Sequence, residues 1–228
     1  MTGHSEIDCP GPCQVKVCGL TVADEALGCV ELGADAIGLV FYPPSPRFIT
    51  AVAAREIGAS LPPGVRKVGV FVDAPFLEIM KMAQFCGLDF VQLHGGEPPS
   101  MVEALESAGI SVIKALFSER KPLLSEAQNY RASAFLVESG AGPIPGGAGI
   151  GWEWRAGAAL AGEKPCILAG GLTPQNVSEA IGQFEPVAVD VSSGVESAPG
   201  RKDMEKVRAF IEAVRNSKQR SAPGRIFQ

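Results

Sequence analysis

Eight times along this chain a short run of apolar, often β-branched residues gives way to a stretch with helical spacing, and this alternation constrains the fold more than any other feature. Strands are expected over Gln14–Cys18, Ala36–Phe41, Lys67–Val72, Phe90–Leu93, Ser111–Ala115, Ala134–Val137, Cys166–Ala169 and Val187–Val191. Helices are expected over Val22–Leu32, from a Thr50 cap to Ser60, and over Pro75–Phe85, Pro99–Ala108, Pro174–Gln183 and Met204–Arg215. Leu123–Tyr130 reads as a weaker helix, and Trp152–Ala161 as another after the Gly/Pro-rich loop Glu138–Gly151. Gly33 suits a helix stop, and Pro75 a first helical turn. Strands alternating with helices imply a parallel sheet, and runs this apolar suit burial on both faces. Eight such units in one domain predict a closed (β/α)8 barrel. A doubly wound sheet is the alternative, but no switch point in the strand order is visible.

The 228 residues fit one barrel domain, expected over 14–216, with flexible tails at 1–13 and 217–228. Hydrophobic residues make up 46% and charged residues 20%, which argues for a globular chain. The net charge of −5 comes without a basic stripe, so no nucleic-acid partner is expected. No apolar run reaches the roughly 20 residues of a membrane span. The start, MTGHSEIDCPGPC, has neither a basic opening nor an apolar segment, so a cytoplasmic location is expected. The six cysteines then read as thiols. Cys9, Cys13 and Cys18 have no CxxC spacing and no histidine soon after them, so no metal site is expected.

In such a barrel the chemistry sits at the C-terminal ends of the strands, and phosphate is held by the loops after strands seven and eight. Cys18, Arg47, Asp73, Gln92, His94, Glu138 and Asp190 fall at that end. Ala169-Gly170-Gly171-Leu172 and Asp190-Val191-Ser192-Ser193-Gly194-Val195 occupy the two phosphate positions. Glycines let the backbone close on an anion, and serines add hydroxyls, so Gly170, Gly171, Ser192, Ser193 and Gly194 are expected to bind phosphate. The loop Gly142–Gly151 is also glycine-rich. Its spacing is wrong for a dinucleotide fingerprint and it follows strand six, so no nicotinamide cofactor is expected. A lid or phosphate contact through Gly149 suits it better.

Several blocks together resemble the phosphoribosylanthranilate isomerase family of tryptophan biosynthesis. They are KVCGLT at Lys16–Thr21, GADAIGLVFYPPSPRFIT at Gly33–Thr50, VGVFV at Val68–Val72 and VQLHG at Val91–Gly95. LAGGLTPQNV at Leu168–Val177, DVSSGVE at Asp190–Glu196 and Pro199-Gly200-Arg201-Lys202-Asp203 follow in the expected order. The resemblance implies a cofactor-free Amadori rearrangement of an N-(5-phosphoribosyl)anthranilate, with the phosphosugar-anthranilate substrate as the small-molecule partner. It matches Cys18 to the general base, whose thiol must then titrate toward neutral, helped by Lys16 two residues back. It matches Arg47, on a loop stiffened by Pro43, Pro44 and Pro46, to the group that holds the anthranilate carboxylate. Glu138 stands where the family usually has aspartate and is expected to be the acid, with a raised pKa keeping it protonated. Gly146-Gly147-Ala148-Gly149 and Trp152-Glu153-Trp154 depart from the family's Gly-Gly-Thr-Gly and Phe/His-Asp-Trp. Asp190 is expected to hydrogen-bond the substrate or to pair with Arg47, and His94 to line the pocket. Monomer and homodimer both remain open. A related barrel isomerase for another phosphosugar and a non-catalytic phosphate-binding barrel are the competing readings.

Overall fold

The structure is a computed structural model that describes residues 12–140, 153–217 and 225–227. Its strands are β1 (Gln14–Cys18), β2 (Ala36–Val40), β3 (Arg66–Phe71), β4 (Phe90–Leu93), β5 (Ser111–Phe117), β6 (Ala134–Glu138), β7 (Cys166–Leu168) and β8 (Ala188–Val191). Each pairs in parallel with the next, and β8 returns to β1 with Lys16 opposite Asp190, which closes the expected (β/α)8 barrel. The helices are α1 (Ala23–Glu31), α2 (Ala51–Ser60), α3 (Phe76–Cys86), α4 (Pro99–Ser107), α5 (Ala158–Glu163), α6 (Val177–Phe184) and α7 (Met204–Arg215).

Local chemistry explains where these elements start and where expectation and structure differ. Thr50 opens α2 by accepting the Ala53 N–H, and Asp203 opens α7 by accepting those of Glu205 and Lys206. Each cap satisfies donors the first helical turn leaves unpaired. The weak helix expected at Leu123–Tyr130 is a 3₁₀ stretch, Leu124–Asn129, in which only Ala127 is buried. Glu126 reaches back to the Leu123 N–H at 2.6 Å and stabilises the tight turn. The helix expected from Pro174 begins at Val177 instead. Asn176 accepts the Thr173 N–H at 2.8 Å and donates to the Gly171 carbonyl at 2.9 Å, so residues before it form a turn. Of the helix expected from Trp152, that residue lies outside the described residues. The described part is a 3₁₀ turn, Trp154–Gly157, leading into α5. A short hairpin of β9 (Glu196–Ala198) and β10 (Arg201–Lys202), unforeseen in the sequence, folds about Pro199 and Gly200.

Alternation along each strand sorts the core into two shells. Val15, Val17, Ile37, Leu39, Val91 and Leu93 pack outward against the helices. Ala36, Val68, Ile113, Ala115, Ala134, Leu136, Ile167 and Ala188 fill the barrel interior. Half of that inner set is alanine, and the long Lys16 side chain is fully buried. The bottom of the barrel corrects the expectation of a loose tail for residues 225–227. Phe227 is 4% exposed and packs on the inner shell, edge-on to Phe90. Gln14, 1% exposed, donates to the Phe227 carbonyl and accepts the N–H groups of Ile226 and Phe227. A buried amide needs such partners, and the tail supplies them.

Candidate active site

A cavity of ≈ 700 Å³, counting the solvent at its mouth, opens at the C-terminal ends of the strands. Cys18, Arg47, His94, Glu138, Gly170, Gly171, Asp190, Ser192, Ser193 and Gly194 all line it. The barrel therefore brings these candidates together with Gln92. Asp73 stands outside the cavity lining and accepts the Gly96 N–H at 2.8 Å, and Gly149 lies outside the described residues.

Two turns form one wall of the cavity. Gly170 and Gly171 after β7 have φ of 85° and 67°, values that side-chain-bearing residues rarely adopt. Gly194 sits directly against the Leu172 carbonyl oxygen, where a Cβ would overlap it. The two turns therefore meet where Gly194 packs on the Leu172 carbonyl, a contact that the absent side chain of Gly194 permits. Ser192 contributes rigidity as well, donating from its hydroxyl to the Cys18 carbonyl at 3.0 Å.

Cys18 ends β1 beside a buried charge pair. Lys16 donates to Asp190 at 2.8 Å, and its positive charge also acts on the Cys18 thiol. Two expectations change here. Burial raises the Cys18 thiol pKa, and the opposing pull of Lys16 and Lys202 does not overcome it, partly because Asp190 adds a negative charge nearby. The substrate-free site therefore holds a thiol. Asp190 pairs with Lys16 across the β1–β8 seam and not with Arg47.

Glu138 ends β6 and meets His94, which follows β4. Oε1 of Glu138 lies 3.3 Å from Nε2 of His94, and Nδ1 of His94 lies 3.0 Å from Nε2 of Gln92. Gln92, His94 and Glu138 thus form one buried chain of side-chain contacts, in which the donor at each imidazole nitrogen follows from the tautomer. Burial pushes the Glu138 carboxyl up, but His94, Arg120 and Lys16 together hold it below its ordinary value. This corrects the expectation of a raised pKa. The sequence could not show that a neighbouring imidazole and a guanidinium outweigh desolvation.

Arg47 reaches the cavity from the loop after β2. Its Nε and Nη2 donate to the two carboxylate oxygens of Glu196 at 2.8 and 2.7 Å. Lys202 donates to Glu196 at 2.9 Å and to the Ser192 carbonyl at 3.2 Å. Glu196, Lys202, Gln92 and Arg120 are the functional neighbours that the candidate roles left out. Glu196 stood inside the DVSSGVE block, so the signal was present without its role.

A parallel eight-stranded barrel with a thiol, a carboxyl–imidazole pair, an arginine and two glycine turns at one mouth has the make-up of a phosphosugar isomerase. Comparison with known proteins narrows this class. The family model for N-(5'-phosphoribosyl)anthranilate (PRA) isomerase matches residues 15–213. The N-(5'-phosphoribosyl)anthranilate isomerase of Desulfatibacillum aliphaticivorans is 48% identical over 214 residues, 94% of this chain and 98% of the relative. The crystal structure of phosphoribosyl anthranilate isomerase from Thermotoga maritima superposes with a TM-score of 0.82 at 39% identity, covering 89% of this chain and 98% of that one. A crystal structure of phosphoribosyl anthranilate isomerase in complex with reduced 1-(o-carboxyphenylamino)-1-deoxyribulose 5-phosphate superposes at 0.79, with the same identity and coverage. The chain belongs to the phosphoribosylanthranilate isomerase family.

Proposed function

We propose that this chain converts N-(5-phosphoribosyl)anthranilate to 1-(2-carboxyphenylamino)-1-deoxyribulose 5-phosphate, a step of tryptophan biosynthesis, without a cofactor. One observation carries the reading: Cys18, Glu138, Arg47 and both glycine turns border a single cavity. The phosphate lies on Gly170, Gly171, Ser192, Ser193 and Gly194. The anthranilate carboxylate lies on Arg47. Asp190 accepts a hydrogen bond from the ribose hydroxyls, and His94 faces the ring.

Glu138 donates a proton to the furanose oxygen as the C1–O bond breaks, and the nitrogen lone pair forms the C1=N iminium. His94 holds the carboxyl in place, and Glu138 takes up the proton it donates from solvent at the cavity mouth before the ring opens. The Cys18 thiolate then removes the C2 proton. The C–H electrons become the C1=C2 bond, and the C=N pair returns to nitrogen as the enolamine. The enolamine passes its C2 hydroxyl proton to the Glu138 carboxylate, which restores the acid, and gains at C1 the proton that Cys18 took from C2, to give the ketone. The iminium adds its positive charge to those of Lys16 and Lys202, which favours the thiolate, and the thiol proton leaves to solvent through the open mouth of the cavity.

The partner is the small-molecule substrate, and no nucleic acid or membrane partner is called for. Among the described residues no helix is long and apolar enough to cross a membrane. A cytoplasmic monomer or homodimer fits this role. The test is turnover of enzymatically generated phosphoribosylanthranilate, followed as loss of anthranilate fluorescence. Glu138→Gln should lower kcat by about 10²- to 10⁴-fold, the usual span for a lost general acid. Glu138→Asp withdraws the carboxyl by about 1 Å and should cost around 10²-fold. No turnover by the unaltered protein at high concentration would overturn the proposal.

A further inference from the structure

We infer that Glu196, itself held by Lys202, is the positioning residue that chooses which edge of the Arg47 guanidinium faces the substrate. By this it sets the preference for an arylamine that carries a carboxylate. The inference rests on the reading of Arg47 as the carboxylate holder.

A guanidinium has five N–H donors arranged along two paired edges and one single position. In Arg47 the Nε edge is already taken, because Nε and Nη2 meet the two oxygens of Glu196. Three donors remain: the second hydrogen of Nη2 and both hydrogens of Nη1. The paired Nη1/Nη2 edge is the one that can form two parallel bonds to a second carboxylate. Glu196 thus converts a flexible side chain with two possible forks into one with a single free fork. The packing agrees, since the Arg47 methylenes cross Gly19 so closely that a Cβ there would overlap Arg47 Cδ.

Charge explains why a carboxylate binds here at all, while Glu196 contributes the geometry of the fork. Arg47 and Lys202 are two cations and Glu196 is one anion, so the buried trio keeps one positive charge uncompensated. A single substrate carboxylate neutralises it, and a neutral aryl group leaves it unpaired in a partly dry site, which is unfavourable. Burial raises the Glu196 pKa, but Arg47 and Lys202 hold it below the usual carboxylate range, so the anion persists at neutral pH. Lys202 extends the device. Its side chain is fully buried, and its ammonium joins Glu196 to the Ser192 carbonyl in the phosphate turn. The spacing between the carboxylate fork and the phosphate turn is therefore fixed through one lysine.

The experiment compares two substrates in each protein: phosphoribosylanthranilate and the phosphoribosyl derivative of aniline, which lacks the carboxylate. The ratio of their kcat/KM values is the readout, because a general loss of fold lowers both and leaves the ratio alone. The unaltered protein should prefer the anthranilate compound. Glu196→Gln should reduce that preference by on the order of tenfold, mostly through KM of the anthranilate compound, as expected for loss of a charged hydrogen-bond geometry. Glu196→Asp keeps the charge and the fold with a shorter reach, and should give an intermediate ratio. An unchanged ratio in both variants would overturn the inference and leave Glu196 a structural ion. No preference in the unaltered protein would instead refute the role of Arg47, and an inactive unaltered protein would refute the proposed function.

Discussion

Substituting alanine for Gly38 should disable the proposed base without touching a polar atom. Gly38 stands opposite Cys18 in the β1–β2 pairing. A Cβ built on it lies 2.5 Å from Cys18 Sγ and 3.0 Å from Cys18 Cα and Cβ. Unstrained contacts between such atoms begin near 3.5 Å, so the sulfur must retreat by about 1 Å or the two strands must part. A shift of that size at a reacting group costs around 10²-fold in rate. Overpacking two strands should also cost about 1–3 kcal/mol of stability. The assay is kcat from anthranilate fluorescence, with circular dichroism and thermal melting on the same sample. The expected result is a folded protein with lowered Tm and kcat down roughly 100-fold. A fully folded Gly38→Ala protein with kcat within about twofold of the parent would refute the claim that the Cys18 position governs the chemistry, since 1 Å errors at reacting atoms are not silent.

Two further outcomes follow from the same structure. Glu138 and Glu196 are both held below their ordinary pKa. Their contribution to stability is therefore fully present above the unfolded glutamate value of about 4.3 and is lost as pH falls through the lower folded values. Urea unfolding between neutral pH and pH 3 should show a steepening loss below about pH 4.5 that is smaller in Glu196→Gln, whereas a flat profile would contradict the pairing. Phe227→Ala removes a ring from the barrel bottom and should lower the unfolding free energy by about 3 kcal/mol. Its kcat should stay at the parent value, because Phe227 packs at the end of the barrel opposite the cavity.

Much of this architecture was legible because the signals are local. Thr50 marks its helix start from within a few residues. The eight apolar runs place Cys18, Glu138 and Asp190 near strand ends, and the barrel rule then gathers them. What stayed hidden depends on contacts between distant segments. Arg47 and Glu196 are 149 positions apart, and only the unforeseen β9–β10 hairpin brings them together. His94 and Glu138 are 44 positions apart, and their contact reverses the direction of the Glu138 pKa. Cys18 shows the opposite error, since the sequence offers a lysine two residues away but not the degree of burial that outweighs it. In the tail, Ile226 and Phe227 are an apolar pair at the end of a polar stretch, and nothing nearby tells that Gln14 awaits them.

The most direct test of the central claim is a single-turnover measurement with Cys18→Ala. Excess protein is mixed with phosphoribosylanthranilate, and the decay of anthranilate fluorescence is timed against the unaltered protein at matched fold. With Cys18 as the group that removes the C2 proton, the decay should fall to the rate of spontaneous substrate breakdown while the protein still binds the product analogue. A decay within about tenfold of the parent rate would contradict the account, because losing a true general base costs about 10²-fold or more.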